Sequence, residues 1–315
     1  MLYLDTLPHT VMDRRTYIKT GTGAVVGTLL AGCTGGGGSG EGEGEETTAS
    51  GEETTESETT EGEQTTSSES NELPDKVVIG SDIPYRPFEY ETTSGELTGF
   101  DVDIAKAVFE GELGIDYEFK PTSFDSIIPS LNNNNFRVIM SAMTINDTRA
   151  EKVDFSEPYF TAYQTVIIPT GSDISSKEDL KGKNIGVQKG TTGASAAEGL
   201  KEEFDGDLTL KKYDQISGAF QALINGQVAA VVNDNTVNAE FVNGNGEGEA
   251  VFLEGEGAAE DAGKDAPPYL TLTVEEYGIA FRQDDDGFRK QVNEALAAVR
   301  EDGTYEEIYA EYFEG

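Results

Sequence analysis

Arg137-Val138-Ile139-Met140-Ser141-Ala142-Met143-Thr144-Ile145-Asn146-Asp147-Thr148-Arg149 is the stretch on which the fold turns. Its β-branched start reads as a short buried strand. At Ser141 the pattern becomes small and hydroxylic, which exposes backbone N–H and C=O groups beside side-chain hydroxyls. Asn146 or Asp147 then fits an N-cap, putting Arg149 in the first turn of a short helix. A cation there opposes the helix dipole by roughly 0.3–1 kcal/mol, so something else has to hold it. Arginine's planar fork grips a carboxylate through two parallel hydrogen bonds. The residues alone leave two readings open: a surface salt bridge to Asp147 or Glu151, or a grip on a carboxylate from elsewhere.

Strand, loop and helix alternate on either side of this stretch. Toward the N-terminus, residues 77–79 read as a strand, followed by a loop through Phe88 whose Pro84 and Pro87 restrict the backbone. Thr98-Gly99-Phe100 opens a helix running to Val108, with Phe100, Ile104 and Ala107/Val108 on one face. A strand is expected over 116–119, a helix over 124–131 and a third strand over 138–140. Beyond Arg149, strands are expected over 166–168, 185–187, 208–213 and 229–232. Helices are expected over 194–204 and 217–224, with a capped turn at 176–180. Residues 254–268 are acidic and rich in Gly, Ala and Pro, and read as a mobile surface loop. Residues 277–281 read as a late strand. Phe288, Val292, Ala295, Leu296 and Val299 then recur at helical spacing until Gly303, and Thr304 with Glu307 reads as a capping box for a last helix carrying Ile308, Tyr309 and Tyr312. Alternating β and α units imply sheets covered by helices on both faces.

The 315 residues hold 60 acidic and 22 basic side chains, a formal net charge of -38. Nucleic acid and anionic membrane surfaces need clustered Lys and Arg, so both are excluded as partners. A self-repelling surface of this kind is tolerable where salt screens it, with a Debye length of about 3 Å at 1 M, and the composition resembles that of extreme halophiles. His9 and Cys33 are the only residues of their types. An internal disulfide, a His/Cys zinc cluster and a Ser–His–Asp triad are therefore excluded; carboxylate-only catalysis and an oxygen-ligated metal stay open on composition, although no cofactor or metal is expected.

Residues 1–33 read as a twin-arginine export signal with a lipobox. Arg14-Arg15 is the twin arginine, residues 24–30 are a short apolar core, and Leu30-Ala31-Gly32-Cys33 resembles a lipobox whose Cys33 becomes lipidated. The apolar core falls far short of the ~20 residues of a spanning helix. Met12 reads as the true initiator, in which case His9 is absent from the mature chain. Residues 34–72 are Gly, Glu, Ser and Thr with almost no apolar side chain, and are expected to be a disordered, acidic tether.

Gly99-Phe100-Asp101-Val102-Asp103-Ile104-Ala105 resembles the signature of the family 3 extracellular solute-binding proteins, which serve polar amino-acid ABC importers. The resemblance runs from Lys76 to Gly315. Its glutamine-binding branch looks most similar, through Asp116-Tyr117-Glu118-Phe119-Lys120-Pro121, residues 124–131, residues 277–281 and the ending Glu301-Asp302-Gly303-Thr304-Tyr305-Glu306-Glu307-Ile308-Tyr309. The resemblance implies an α/β, two-lobed periplasmic-binding-protein-like fold of type II with a two-strand hinge. Residues 73–161 and 277–315 would form lobe 1 and residues 162–276 lobe 2. It further implies a lipid-anchored extracellular receptor, monomeric, that closes on a free polar amino acid and hands it to an ABC permease.

By the same resemblance, Arg149 grips the ligand carboxylate, and Ala142 and Thr192 donate backbone N–H groups to it. Asp234 pairs with the ammonium. Ser141, mainly through its carbonyl, and Thr144 are neutral acceptors. Tyr85 and Phe124 are aromatic walls, and Asp82 reads the ligand side chain. Gln188 and Asn233 depart from the glutamine-binding branch, which has Lys and His there, so a neutral polar and a basic ligand side chain both stay open. Lys189 should face away if Gln188 points inward, because strand side chains alternate. Cyclohexadienyl dehydratases resemble this family too, which makes an enzyme with Asp82 or Asp234 as general acid the alternative. A sensing domain of a receptor is a third reading.

Overall fold

The computed structural model describes residues 73–264 and 267–314. The readings for residues 1–72, the export signal, Cys33 and the acidic tether among them, lie outside the described residues. β1 (Lys76–Ser81) carries the fully buried Val77 and Ile79. β2 (Tyr90–Glu91) and β3 (Leu97–Thr98) form a small antiparallel pair. α1 (Phe100–Ala105) follows Gly99, whose φ is 131°. A Cβ there would lie 2.2 Å from the Phe88 carbonyl oxygen, so the turn into the helix admits only glycine. The helix continues as a π-helical segment over Lys106–Glu112, further than its sequence pattern suggests, and buries Val108 and Phe109. β4 (Asp116–Pro121), α2 (Phe124–Asn132), β5 (Val138–Ile139), α3 (Asp147–Ala150) and β6 (Asp154–Phe155) follow.

β7 (Phe160–Pro169) leads into a second set of elements. A 3-10 turn at Lys177–Leu180 is closed by a capping box between Ser176 and Asp179. Then come β8 (Asn184–Gln188), α4 (Thr192–Glu203), β9 (Thr209–Tyr213), α5 (Ile216–Ile224) and β10 (Ala230–Asp234). α6 (Asn235–Asn243), β11 (Ala250–Phe252), α7 (Ala258–Asp261) and β12 (Thr271–Tyr277) complete the set. The chain ends with β13 (Ala280–Phe281), α8 (Asp286–Glu301) and α9 (Thr304–Phe313).

Apart from the β2–β3 pair, these strands make two sheets, one in each of two lobes. The first has the order β4-β1-β5-β13-β6, with β1 parallel to β4 and β5. The second has the order β11-β7-β10-β8-β9, with β12 paired to β7. That last pairing is antiparallel, from Phe160 opposite Tyr277 to Thr165 opposite Thr271, with a register shift between Thr271 and Thr273. The chain passes between the sheets along these two strands, which hold each other. Phe160 packs there against Phe313 at 4.9 Å, Phe88 at 5.1 Å and Tyr277 at 5.4 Å between ring centroids. The stripe Phe288, Val292, Ala295, Leu296 and Val299 of α8 is buried. Each of its larger side chains contributes roughly 1.5–3 kcal/mol relative to exposure.

Three local expectations are corrected. The stretch read as a mobile loop over 254–268 contains α7, which buries Ala259 and is held where the Ala259 N–H meets Thr271 Oγ1 at 2.9 Å. The strand expected over 277–281 is two strands, interrupted at Gly278, whose N–H reaches the Met143 carbonyl at 3.0 Å. The Thr304 capping box does not form. α9 starts directly after Gly303 in the left-handed region, and Asp302 Oδ1 accepts from the Thr304 N–H at 2.9 Å.

Candidate functional site

The ends of the parallel strands of both sheets converge on one crevice, where open α/β sheets bind ligands. β1 runs out into Asp82 and Tyr85, β5 into Ser141, Ala142 and Thr144, and α2 and α3 supply Phe124 and Arg149. From the other lobe β8 ends in Gln188, α4 begins with Thr192, and β10 ends in Asn233 and Asp234. Every residue assigned a ligand contact from the sequence lines one cavity, together with Gln164 and Thr191. Its free volume is about 20 Å³, room for about one water molecule. A groove of about 1040 Å³ opens beside it and shares Phe124, Arg149, Thr191 and Thr192.

Bonds between the lobes close the cavity. Gln188 Nε2 donates to Asp82 Oδ2 at 2.5 Å, and Tyr85 Oη donates to Asp234 Oδ2 at 2.5 Å and contacts Asn233 Oδ1 at 3.1 Å. Arg149 Nη2 reaches the Gly190 carbonyl at 3.3 Å, and Gln215 Nε2 the Ile83 carbonyl at 3.3 Å. Gly190 has φ 75°, and a Cβ on it would lie 2.9 Å from Asp125 Cα of the opposite lobe.

Arg149 is 7% exposed. Asn146 is the N-cap, its Oδ1 accepting from the Arg149 N–H at 2.9 Å, which turns the guanidinium inward. Nη1 donates to the Thr144 carbonyl at 2.7 Å, and Cζ lies 5.2 Å from the centre of the Phe124 ring. Among the described residues Arg149 forms no salt bridge within 4.0 Å, so the surface pair with Asp147 or Glu151 is not made. Burial draws its pKa down, and the charges of Glu275 and Asp234 oppose that shift.

Asp234 sits at the N-cap position of α6, yet its side chain does not cap. It turns into the cavity, bonded by Tyr85 and by Gln164 Nε2. Burial pushes its carboxyl up to about 7, the charge of Glu275 adds to this, and hydrogen bonds from Tyr85 and Gln164 oppose it. Burial likewise raises Asp82 to about 6, against the Gln188 amide and with help from Asp125. Gln188 is buried, whereas the next residue, Lys189, faces outward to Asp214 at 2.5 Å. The Nδ2 of Asn233 is buried without a partner among the described residues.

The role assigned to the Ala142 amide changes, while among the described residues the Ser141 carbonyl stays free for the role assigned to it. Ala142 adopts φ 45° and gives its N–H to Asp101 Oδ2 at 2.8 Å, so that amide does not serve a ligand carboxylate. Ser141 uses its hydroxyl beneath the site, donating to Glu89 Oε1 at 2.7 Å and accepting from the Asp82 N–H at 2.9 Å. Glu89 and Asp101 are both fully buried below this floor. Tyr85 is more than an apolar wall, because its hydroxyl bridges to the other lobe. Sequence reasoning missed Gln164 and Glu275. Gln164 stands opposite Asp234 in the β7–β10 register, and Glu275 shares a strand face with Tyr277 through period-two alternation.

The profile of the bacterial extracellular solute-binding proteins, family 3, matches residues 77–315. The "Probable histidine-binding protein" of Neisseria gonorrhoeae is 35% identical over 243 residues, covering 76% of this chain and 84% of that protein. An ancestral arginine-binding protein bound to arginine superposes with a TM-score of 0.68 at 36% identity, covering 77% of this chain and all of the other. An ancestral amino acid-binding protein, a precursor of cyclohexadienyl dehydratase, superposes with a TM-score of 0.64 at 34% identity, covering 76% and 96%. With the profile spanning both lobes and both connecting strands, the chain belongs to the bacterial extracellular solute-binding proteins, family 3.

Proposed function

We propose that this protein is an extracellular receptor that captures a polar L-amino acid, preferentially a basic one, and delivers it to an ABC importer. The observation that carries the reading is Arg149, a buried guanidinium with no salt bridge among the described residues, facing the cavity across from Asp234 of the other lobe. An α-carboxylate supplies the missing partner for Arg149, aided by backbone N–H groups at the start of α4 around Thr192. The α-ammonium pairs with Asp234 and with the lone pairs of Thr144. Phe124 and Tyr85 flank the aliphatic stem. Once both α-groups are paired, Asp82 remains unmatched, and a cationic side chain answers it better than a neutral one.

The free volume of about 20 Å³ is too small for any amino acid, so admission requires the lobes to part along β7 and β12 and close again. Residues 73–161 with 277–315 and residues 162–276 are the two bodies in this motion. Lipid attachment through Cys33, a monomeric state, export by the twin-arginine route and a molar-salt environment complete the proposal.

A thermal-shift screen of the twenty amino acids in molar salt tests it. A ligand at about 100 times its Kd stabilises by about 2.7 kcal/mol. Arginine, lysine or histidine should raise the melting temperature most, and a flat response to all twenty defeats the reading. The raised carboxyls of Asp82 and Asp234, with the similarity to a dehydratase precursor, favour an enzyme as the second reading. Incubation with prephenate or arogenate separates the two, since only the enzyme yields an aromatic product.

A further inference from the structure

Glu275 lies on β12, opposite Ala162 of β7 in the ladder that joins the lobes, and is 7% exposed. Its Oε2 receives Thr144 Oγ1 at 2.6 Å from one lobe and Thr192 Oγ1 at 2.7 Å from the other. Gln164 Nε2 approaches the same oxygen at 3.2 Å, and Thr273 Oγ1 donates to Oε1 at 2.9 Å. A threonine hydroxyl has one proton and an ionised carboxylate has none, so both short contacts run from threonine to Glu275. The two hydroxyls lie 3.2 Å apart, and with their protons committed neither can donate to the other. Gln164 Nε2, 3.3 Å from Thr192 Oγ1, finds it in the acceptor role this requires.

We propose that Glu275 is a positioning residue that sets the polarity of the cleft. By taking the protons of Thr144 and Thr192 it leaves only their lone pairs for a ligand, so the pair favours an ammonium over a hydroxyl, which has a single proton to give and no charge, and refuses a carboxylate in its place. Because one oxygen holds a hydroxyl from each lobe, the arrangement is complete only when the lobes are together. The proposal rests on the amino-acid reading above and names a specificity determinant within that site.

The test compares L-arginine with its 2-hydroxy acid analogue by calorimetry on the full chain and two variants. Glu275→Met has similar length but no acceptor, whereas Glu275→Gln keeps an oxygen that accepts both hydroxyls. The preference of the wild type for the amino over the hydroxy ligand should fall roughly tenfold or more in Glu275→Met, the scale of a lost charged hydrogen bond. It should stay within about threefold of wild type in Glu275→Gln, since the direction of both bonds survives. A residue with a merely structural role shifts the melting temperature of both variants and leaves the preference alone. An unchanged preference in folded Glu275→Met overturns the proposal, as does an equal collapse in both variants. Should Glu275→Met not fold, Glu275→Ala, which also removes the acceptor of both hydroxyls, takes its place with the same expected loss of preference. A wild type that binds neither ligand nor any other amino acid defeats the functional reading instead.

Discussion

Arg137 and Arg149 stand on one strand–loop–helix passage and both lie over an aromatic ring, yet they are built for different ends. Arg137 grips Asp285 through two bonds, Nε to Oδ2 at 2.8 Å and Nη2 to Oδ1 at 2.9 Å, with Cζ 3.9 Å from the Phe288 ring centre. Arg149 is more deeply buried and bonds only to carbonyls. A buried guanidinium without a carboxylate carries an unreturned desolvation cost, which a carboxylate arriving from outside would offset. The paired arginine ties α8 to the first sheet, and the unpaired one is the proposed receptor for a ligand carboxylate.

The most decisive attempt to break this contrast is Arg149→Ala. Loss of a buried charge partner costs about 3–5 kcal/mol, so calorimetry with the preferred amino acid should lose at least a hundredfold in affinity. The free protein should hold or gain stability, because the desolvated cation is gone. Next is Asp234→Asn, expected to weaken binding by about 2–3 kcal/mol, the worth of a charged hydrogen bond. Its melting temperature without ligand should not drop, since burial already disfavours the ionised acid.

Acidity sharpens the comparison from the acid side. Asp82 is raised to about 6, and Asp101 and Asp234 to about 7, burial being the main cause in each. A carboxyl raised in the folded chain keeps a proton that the unfolded chain has lost. Its contribution to stability is therefore greatest near pH 4 and declines as pH rises through about 6 to 7. Binding follows the opposite sense, because a ligand ammonium requires Asp234 ionised. Affinity should be greatest above about pH 7 and fall toward pH 5, by at most about tenfold per unit for one linked proton. Calorimetry across that range, in buffers of different ionisation enthalpy, should detect proton release on binding. The smallest effect belongs to Arg137→Ala. It should cost about 1–2 kcal/mol of stability, roughly 2–8 °C in melting temperature, and leave the affinity unchanged. A loss of binding in this variant would erase the distinction between the two arginines.

The alternation of strands and helices was legible because short β-branched runs and i, i+3, i+4 stripes such as that of α8 carry their burial locally. The convergence of Arg149, Asp234 and Asp82 was legible through motif order. What was hidden depended on partners far along the chain. The Ala142 amide meets Asp101, 41 residues earlier, and no spacing rule announces that bond. α7 has only Ala259 to bury and is held by Thr271 from outside itself, so its composition reads as a loop. The Thr304 box lost to Gly303, whose left-handed backbone moved the helix start by one residue. Nothing in the local sequence separates Glu275 from the other acids of a chain that holds 60 of them, and the pairing of β12 with β7 is what turns it inward.

Gly190 has a consequence of a different order. With a bare α-carbon facing Asp125 across the crevice, the two lobes approach there too closely for a side chain on residue 190, and in the proposed closing motion this contact would be the end-stop. On that proposal, how far the molecule can shut is set by a side chain that is missing, and the lining residues divide the space that is left.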